Sequence, residues 1–206
     1  MCSSDQIVYD FMDILVSTSY LAPISYYSAL NGASTTFIEY QEHYVKQTYR
    51  NRCVIAGPNG PLSLTIPVVK PQNPHCPISE IRISDHGNWR LLHWNALKSA
   101  YGQSPFFEFY EDDFRPFYEP DWEFLVDYNL DLLRCVCQLI DIRPSLRVTE
   151  TYQASPSGVS DLRFPAVFPY SPKPYYQVFS QREGFLPDLS IVDMLFCMGP
   201  ESILYL

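Results

Sequence analysis

The stretch "YVKQTYRNRC", residues 44–53, holds three of the chain's 14 Lys and Arg residues: Lys46, Arg50 and Arg52. The same chain holds 23 Asp and Glu and carries a formal net charge of −9. Read as extended, the stretch puts Lys46, Thr48, Arg50 and Arg52 on one face, because strand side chains alternate. Three cations on one face repel unless something negative lies opposite. A phosphate or carboxylate ligand fits, since a guanidinium fork grips either with two bonds. An internal Asp or Glu satisfies the same charges, and spacing leaves both readings open.

Further candidates are scattered. Ser17, Thr18 and Ser19 in "STSYLAP" fall where an apolar strand gives way to a helix. In open α/β sheets ligands bind at that end of the strands, beside unpaired N–H groups of the helix start. The segment also reads as an ordinary polar turn. His93 shares a helix face with Trp89 and Ala96, which suits a core histidine or a general base. His86 follows Asp85, as a base and its orienter or as a turn and helix cap. The run 111–113 with Glu108 suits a hard cation such as Mg²⁺. A charge run is ordinarily a solvated face, and no metal site is assigned. The dinucleotide and P-loop glycine patterns are absent, as are G-x-S-x-G and H-E-x-x-H. The six cysteines form no CxxC pair or zinc spacing, so reduced thiols are expected.

The elements that must position these residues are partly legible. With 206 residues the chain is expected to form one domain over 1–206. It has no apolar run of 18 residues and no basic region ahead of an apolar start, so a cytoplasmic protein is expected. The acidic balance argues against nucleic-acid binding. Residues 1–12 read as a weakly ordered lead-in, 13–17 as a buried strand and 23–30 as a helix opened by Pro23. A second strand covers 35–40. "RCVIA" and "LSLTIPV" flank Asn59-Gly60 as a hairpin, with Leu62, Leu64, Ile66 and Val68 on its buried face. Residues 79–84 read as a strand.

The helix expected over 88–101 is apolar nearly all round and so deeply packed. Short helical turns follow to about residue 118. Asp121 then caps a helix to about 140, and 145–149 is a strand. The proline-rich segment 155–175 reads as a long loop of the kind that forms lids or binding loops. "YYQVF" reads as a last strand. Ser190 and Asp193 read as a capping box for a final helix, and the closing "SILYL" is expected to dock on the core.

The strings "YVKQTYRNRC…NGPLSLTIPV", "HGNWRLLHWNALKSAYGQSPFFEFYEDDFRPFY" and "GFLPDLSIVDMLFCMGPESILYL" resemble the WbqC-like family, most closely its branch in Bacteroides-type bacteria. The resemblance covers most of residues 14–206. Where many relatives carry His-Gln-Pro-x-Tyr-Leu-Pro, this chain reads Val16, Ser17, Thr18, Ser19, Tyr20, Leu21, Ala22 and Pro23, without the His. The resemblance implies a place in surface-polysaccharide (O-antigen) biosynthesis and the addition of an amino acid, glycine being one suggestion, to a sugar. It carries over to Lys46, Arg50, Asn51, Arg52, Trp89, His93 and Asp188.

Residues and resemblance together give an expected three-layer α/β domain with a mixed sheet and a β-hairpin insertion. The alternative is an α+β fold with helices on one face. The site is expected where "STSYLAP", "YVKQTYRNR" and the His93 helix meet, under the proline-rich loop. Lys46, Arg50 and Arg52 would hold an anionic group of a nucleotide-sugar or activated acyl donor, and Asn51, Ser17 and Asp188 would position substrate. His93 or His86 would be the general base of an acyl or aminoacyl transfer. The rival is a non-catalytic protein that binds an anionic glycan precursor or a biosynthetic enzyme. The sequence leaves the cofactor open.

Overall fold

The computed structural model describes residues 12–73, 75–120, 122–164, 168 and 170–206. Its first unit is β1 (Ile14–Ser17), α1 (Ile24–Gly32) and β2 (Thr36–Glu39). Pro23 stands at the head of α1 in an extended conformation, where its missing N–H leaves no donor unpaired. β1 and β2 run parallel, with Ile14 opposite Thr36 and Ser17 opposite Glu39. Ile14, Val16 and Ile38 are buried, as expected of a parallel strand pair joined by a helix.

The hairpin follows as β3 (Arg52–Gly57) and β4 (Gly60–Thr65), antiparallel and closed at Gly57 and Gly60. Gly60 has φ +97°, which a side chain would resist. Leu64 and Ile66 are buried from this arm, but Leu62 is 41% exposed. Residues 79–84 are not the expected strand. They begin as a 3₁₀ turn, Ile78–Glu80, and then make only isolated bridges, Arg82 with Phe124 and Ile83 with Val68.

Three helices come next: α2 (Trp89–Tyr101), α3 (Phe107–Phe114) and α4 (Leu125–Leu139). A 3₁₀ turn, Arg115–Tyr118, follows α3. α2 buries one face, with Trp89, His93, Leu97, Ala100 and Tyr101, whereas Leu91 and Leu92 are 51% and 61% exposed. It is amphipathic rather than deeply packed all round. The cap expected from Asp121 lies outside the described residues. α4 is divided, with Leu125, Leu132 and Val136 buried and Asp127, Arg134 and Gln138 exposed.

β5 (Leu146–Val148) and β6 (Ser160–Asp161) complete a four-stranded parallel sheet in the order β5-β2-β1-β6. The fold is α/β, with its parallel and antiparallel strands divided between this sheet and the hairpin. The proline-rich segment contributes β6 to the sheet edge, which its composition concealed. The segment 175–179 is not a strand and leads into a single helical turn, α5 (Ser180–Glu183). No described helix is long and apolar enough to cross a membrane.

The last helix, α6 (Ile191–Met198), is almost entirely buried. Its Phe196 meets Tyr101, Phe107 and Phe114 at ring-centroid distances of 5.4, 5.1 and 5.2 Å. The Ser190–Asp193 capping box is not formed. The Ser190 hydroxyl donates instead to the Leu21 carbonyl at 2.8 Å. Asp193 is buried and accepts from Tyr101, Tyr175 and Gln177 at 2.9, 2.5 and 2.9 Å. The tail forms a 3₁₀ stretch, Gly199–Tyr205, in which Ser202 is buried but Leu204 is 67% exposed.

Gly199 ends α6 at φ +56°, and a Cβ there would lie 2.5 Å from the Phe106 ring. Gly158 has φ +78° with nothing within 4 Å of its Cβ position. Gly199→Ala should therefore destabilise by about 2 kcal/mol or more, through overpacking added to backbone strain. Gly158→Ala should cost only the strain, about 1 kcal/mol. Urea unfolding checks both, and equal losses would remove the packing argument.

Candidate functional site

The segment 44–51 is a series of turns and not a strand, with Gln47 at φ +59°. Its cations therefore go separate ways. Lys46 is exposed. Arg52, half-buried in β3, donates to Thr65 Oγ1 at 3.1 Å. Arg50 is 2% exposed and grips Glu42 with two bonds, Nε to Oε1 at 2.8 Å and Nη2 to Oε2 at 2.5 Å. Its other donors reach Ser17 Oγ at 3.0 Å and Thr48 Oγ1 at 3.2 Å. The internal reading holds for Arg50. Asn51 is buried and donates from Nδ2 to the Ile66 carbonyl at 2.8 Å, pinning the hairpin.

The two histidines do not meet these residues as expected. His93 is buried among aromatic rings, with Nδ1 3.0 Å from the Tyr20 hydroxyl. Burial pushes its pKa down from 6.5 to about 4, with a backbone hydrogen bond to Thr65 opposing. It is a neutral core histidine at neutral pH. His86 is exposed, and its neighbour Asp85 pairs with Arg90 at 2.5 Å. No Asp85–His86 dyad is present.

A cleft of about 260 Å³ does open at the carboxyl end of β1. Ser17, Ser19, Ser25, Tyr49, Phe164 and Asp188 contribute to its lining. Asp188 is the one charged side chain there among the described residues. Its Oδ1 accepts from the Ser25 backbone N–H and its Oδ2 from the Ser25 hydroxyl, both at 2.8 Å. The carboxylate thus takes a helix-start donor expected to await an anion, and the Ile24 N–H goes to the Leu189 carbonyl. Burial raises the Asp188 pKa above the ordinary carboxylate range, against the lowering effect of the Ser25 bonds.

The backbone around the cleft is strained and cross-tied. Leu21 has φ +41° and Asp188 φ +55°. A bulky residue there is an outlier that persists only when its surroundings over-determine it. Ties to the 189–191 segment do so: Ser190 Oγ to the Leu21 carbonyl, and the Ile191 N–H to the Ala22 carbonyl at 3.0 Å. The Tyr20 N–H is fixed on the Tyr49 carbonyl at 2.8 Å. On the opposite wall the Phe164 N–H reaches Ser17 Oγ at 3.3 Å.

The structure thus brings Ser17 and Asp188 to one cleft and seats Arg50 behind it, 5.8 Å from the Phe164 ring. Lys46, Asn51, Arg52, His86 and His93 are not in its lining. Sequence reading missed Glu42, Ser25, Tyr49 and Phe164. Among the described residues no cluster of three or more His, Cys, Asp or Glu is placed to hold a metal ion.

The chain is an α/β protein with an aromatic, singly charged cleft at the carboxyl end of a parallel strand. Residues 18–164 match the WbqC-like protein family, and the chain belongs to it. It is 25% identical to the uncharacterized protein Rv1507c of Mycobacterium tuberculosis, over 93% of this chain and 96% of that one. No solved structure matches it.

Two predictions follow from this geometry. Arg50→Ala leaves Glu42, itself 6% exposed, as a buried charge without its partner. It should cost about 3–5 kcal/mol in urea unfolding, while half-exposed Arg52→Ala costs about 1 kcal/mol or less. Equal losses would show that the Arg50 pair has no special weight. His93 binds its proton more weakly folded than unfolded, so its stabilising effect is complete above pH 6.5 and is lost as pH falls towards 4. Wild type should lose about 3 kcal/mol across that window relative to His93→Phe. Parallel unfolding curves against pH would contradict the buried neutral imidazole.

Proposed function

We propose that the cleft at the end of β1 binds a hydroxyl- or amine-bearing sugar, and that the chain transfers an acyl or aminoacyl group to it. The observation that carries this reading is Asp188. It is a partly buried carboxylate with a raised pKa, facing an otherwise neutral cleft of serine hydroxyls and aromatic rings. Aromatic faces suit the apolar face of a sugar ring, and a carboxylate accepts from its hydroxyls or amine. A carboxylate poised above its usual range is also a better general base near neutrality. That role falls to Asp188 in place of His93 or His86.

In the step itself, the sugar's amine or hydroxyl attacks the carbonyl carbon of an activated acyl donor. A new C–N or C–O bond forms as the bond to the leaving group breaks, and the leaving group departs with its electron pair. Asp188 takes the proton from the attacking atom. Phosphate-activated or thioester donors would place this chemistry in the cytoplasm. Surface-polysaccharide assembly, to which the family resemblance points, would use the product. Donor binding by Lys46, Arg50 and Arg52 is not part of the proposal, because Arg50 is consumed by Glu42.

The second reading, binding without turnover, has one observation in its favour. Both Asp188 oxygens already accept a bond from Ser25, as a purely structural helix cap would. Asp188→Asn separates the two. It keeps an oxygen for the Ser25 N–H and tolerates a left-handed backbone, but it cannot take a proton. Amino-hexoses and their UDP- and dTDP-linked forms would be titrated by calorimetry, then assayed with glycine plus ATP or with acyl-CoAs by mass spectrometry. Wild type should turn over with a rate that rises with pH through the Asp188 pKa, since the base must be ionised. In Asp188→Asn the rate should drop about 10²–10⁴-fold, with ligand affinity changed far less. Sugar binding with no turnover for any donor would favour the binding protein. An Asp188→Asn variant as active as wild type would remove Asp188 as base.

A further inference from the structure

A second cleft lies on the other side of the Tyr20–His93 aromatic cluster, between the start of α2 and the 3₁₀ turn Arg115–Tyr118. It holds about 460 Å³, against about 260 Å³ at β1, and shares no lining residue with it. Its size falls within the roughly 300–1,000 Å³ of small-molecule sites. Its lining carries more charge than that of the β1 cleft, with two arginines and the carboxylates of Asp85 and Glu119. Arg90 and Arg115 bring two guanidiniums, and Trp94 and Tyr118 bring aromatic walls.

Arg90 is built in rather than loose. Its side chain is 11% exposed, its guanidinium lies 4.8 Å from the Trp89 ring centroid, and Nη1 meets Asp85. Yet its Nε is buried with no hydrogen-bond partner. That atom is closed to solvent, so a ligand in the cleft meets Arg90 through the terminal nitrogens of its guanidinium. Asp85 is no rigid competitor, because its side chain is 83% exposed and such a pair contributes little in water. Arg115 is exposed and makes no ion pair among the described residues. The other carboxylate in the lining is Glu119, also exposed.

Trp94 supplies a flat, half-buried wall, held by Tyr118 at 5.4 Å and Phe107 at 6.1 Å between centroids. The Tyr118 ring is fixed in turn, its hydroxyl 3.1 Å from that of Tyr20. Two guanidiniums beside a rigid indole match a ligand with an anion at one end and a planar ring at the other. A dianionic phosphate offers acceptors enough for two arginines, where a carboxylate would do little more than replace Asp85.

We propose that this cleft binds a nucleotide, with phosphate on Arg90 and Arg115 and the base against Trp94. The inference does not depend on the function proposed for the β1 cleft. UMP and AMP would be titrated into the full chain by calorimetry and by tryptophan fluorescence, with uridine, adenosine and inorganic phosphate as controls. At least one nucleotide should bind 10-fold or more tighter than its nucleoside and than phosphate. Arg115→Ala, at an exposed position, should weaken it at least 10-fold without lowering Tm. Trp94→Leu should bring nucleotide affinity down to that of phosphate alone. Asp188→Asn should leave nucleotide affinity unchanged. The proposal fails if neither nucleotide binds, if phosphate binds as well as the nucleotide, or if Arg115→Ala matches wild type. It also fails if Asp188→Asn abolishes binding while Arg115→Ala does not, for the nucleotide would then sit at β1.

Discussion

A guanidinium taken out of water must find its hydrogen-bond acceptors inside the protein, and Arg50 does so at the centre of the fold. Glu42 takes two of its bonds, Ser17 and Thr48 take others, and Asn129 of α4 donates to the Arg50 carbonyl at 2.8 Å. The buried charge therefore ties together the end of β1 and the turns 42–50, and the backbone of the same residue adds α4. Ser17 in turn receives the Phe164 N–H, so the wall contributed by the proline-rich segment depends on the same network. The pair also fixes the electrostatics of the cleft. Glu42 neutralises the positive charge behind Ser17, and Asp188 is left as the charge facing the cleft.

Strain is concentrated at the same place. Leu21 and Asp188 both occupy the left-handed region and sit on segments bonded to each other through Ala22, Ser190 and Ile191. The start of α6 thus serves as an anchor for the start of α1. That explains why Ser190 and Asp193 do not cap their own helix. The Ser190 hydroxyl contributes more by holding the Leu21 carbonyl. The Asp193 carboxylate is drawn into the core by two tyrosine hydroxyls and an amide. A capping-box pattern describes local options only, and tertiary partners decided between them.

Elements were legible where local chemistry is decisive. Pro23 opens α1, the hairpin expected at Asn59-Gly60 closes one residue earlier through Pro58-Asn59 with Gly60 at positive φ, and the apolar runs at 14–17 and 36–39 pair as parallel strands. The place of the cleft was legible too, because strand-to-helix turns at a sheet end are where side chains and helix-start N–H groups converge. Partnerships were not legible. The expectation that Lys46, Arg50 and Arg52 act together assumed an extended chain, and a single left-handed Gln47 in a run of turns scatters them. Asp85 stands next to His86 in sequence but reaches five residues on, to Arg90. β6 was hidden because two residues in a proline-rich stretch carry no strand period. Asp188 was reached through the family resemblance and not through spacing.

The two clefts are divided by one packed wall. Tyr20 carries its backbone N–H to Tyr49 at the β1 cleft and its hydroxyl to Tyr118 at the Arg90–Arg115 cleft. His93 and Tyr128 pack on its ring at 5.7 and 5.9 Å, and Trp89 packs on those two at 5.1 and 6.0 Å. Coupling between two sites requires an element with two arrangements that both ligands bias. This wall is seen in one close-packed arrangement. Its rings are buried, its histidine is held neutral, and burial keeps its tyrosine hydroxyls protonated. A charged contact could break and re-form on ligand binding, but here the separating contacts are neutral and close-packed. The wall therefore stands between a hydroxyl-lined cleft with one carboxylate and an indole-lined cleft with two guanidiniums and two carboxylates. Ligands on its two sides should bind with additive free energies.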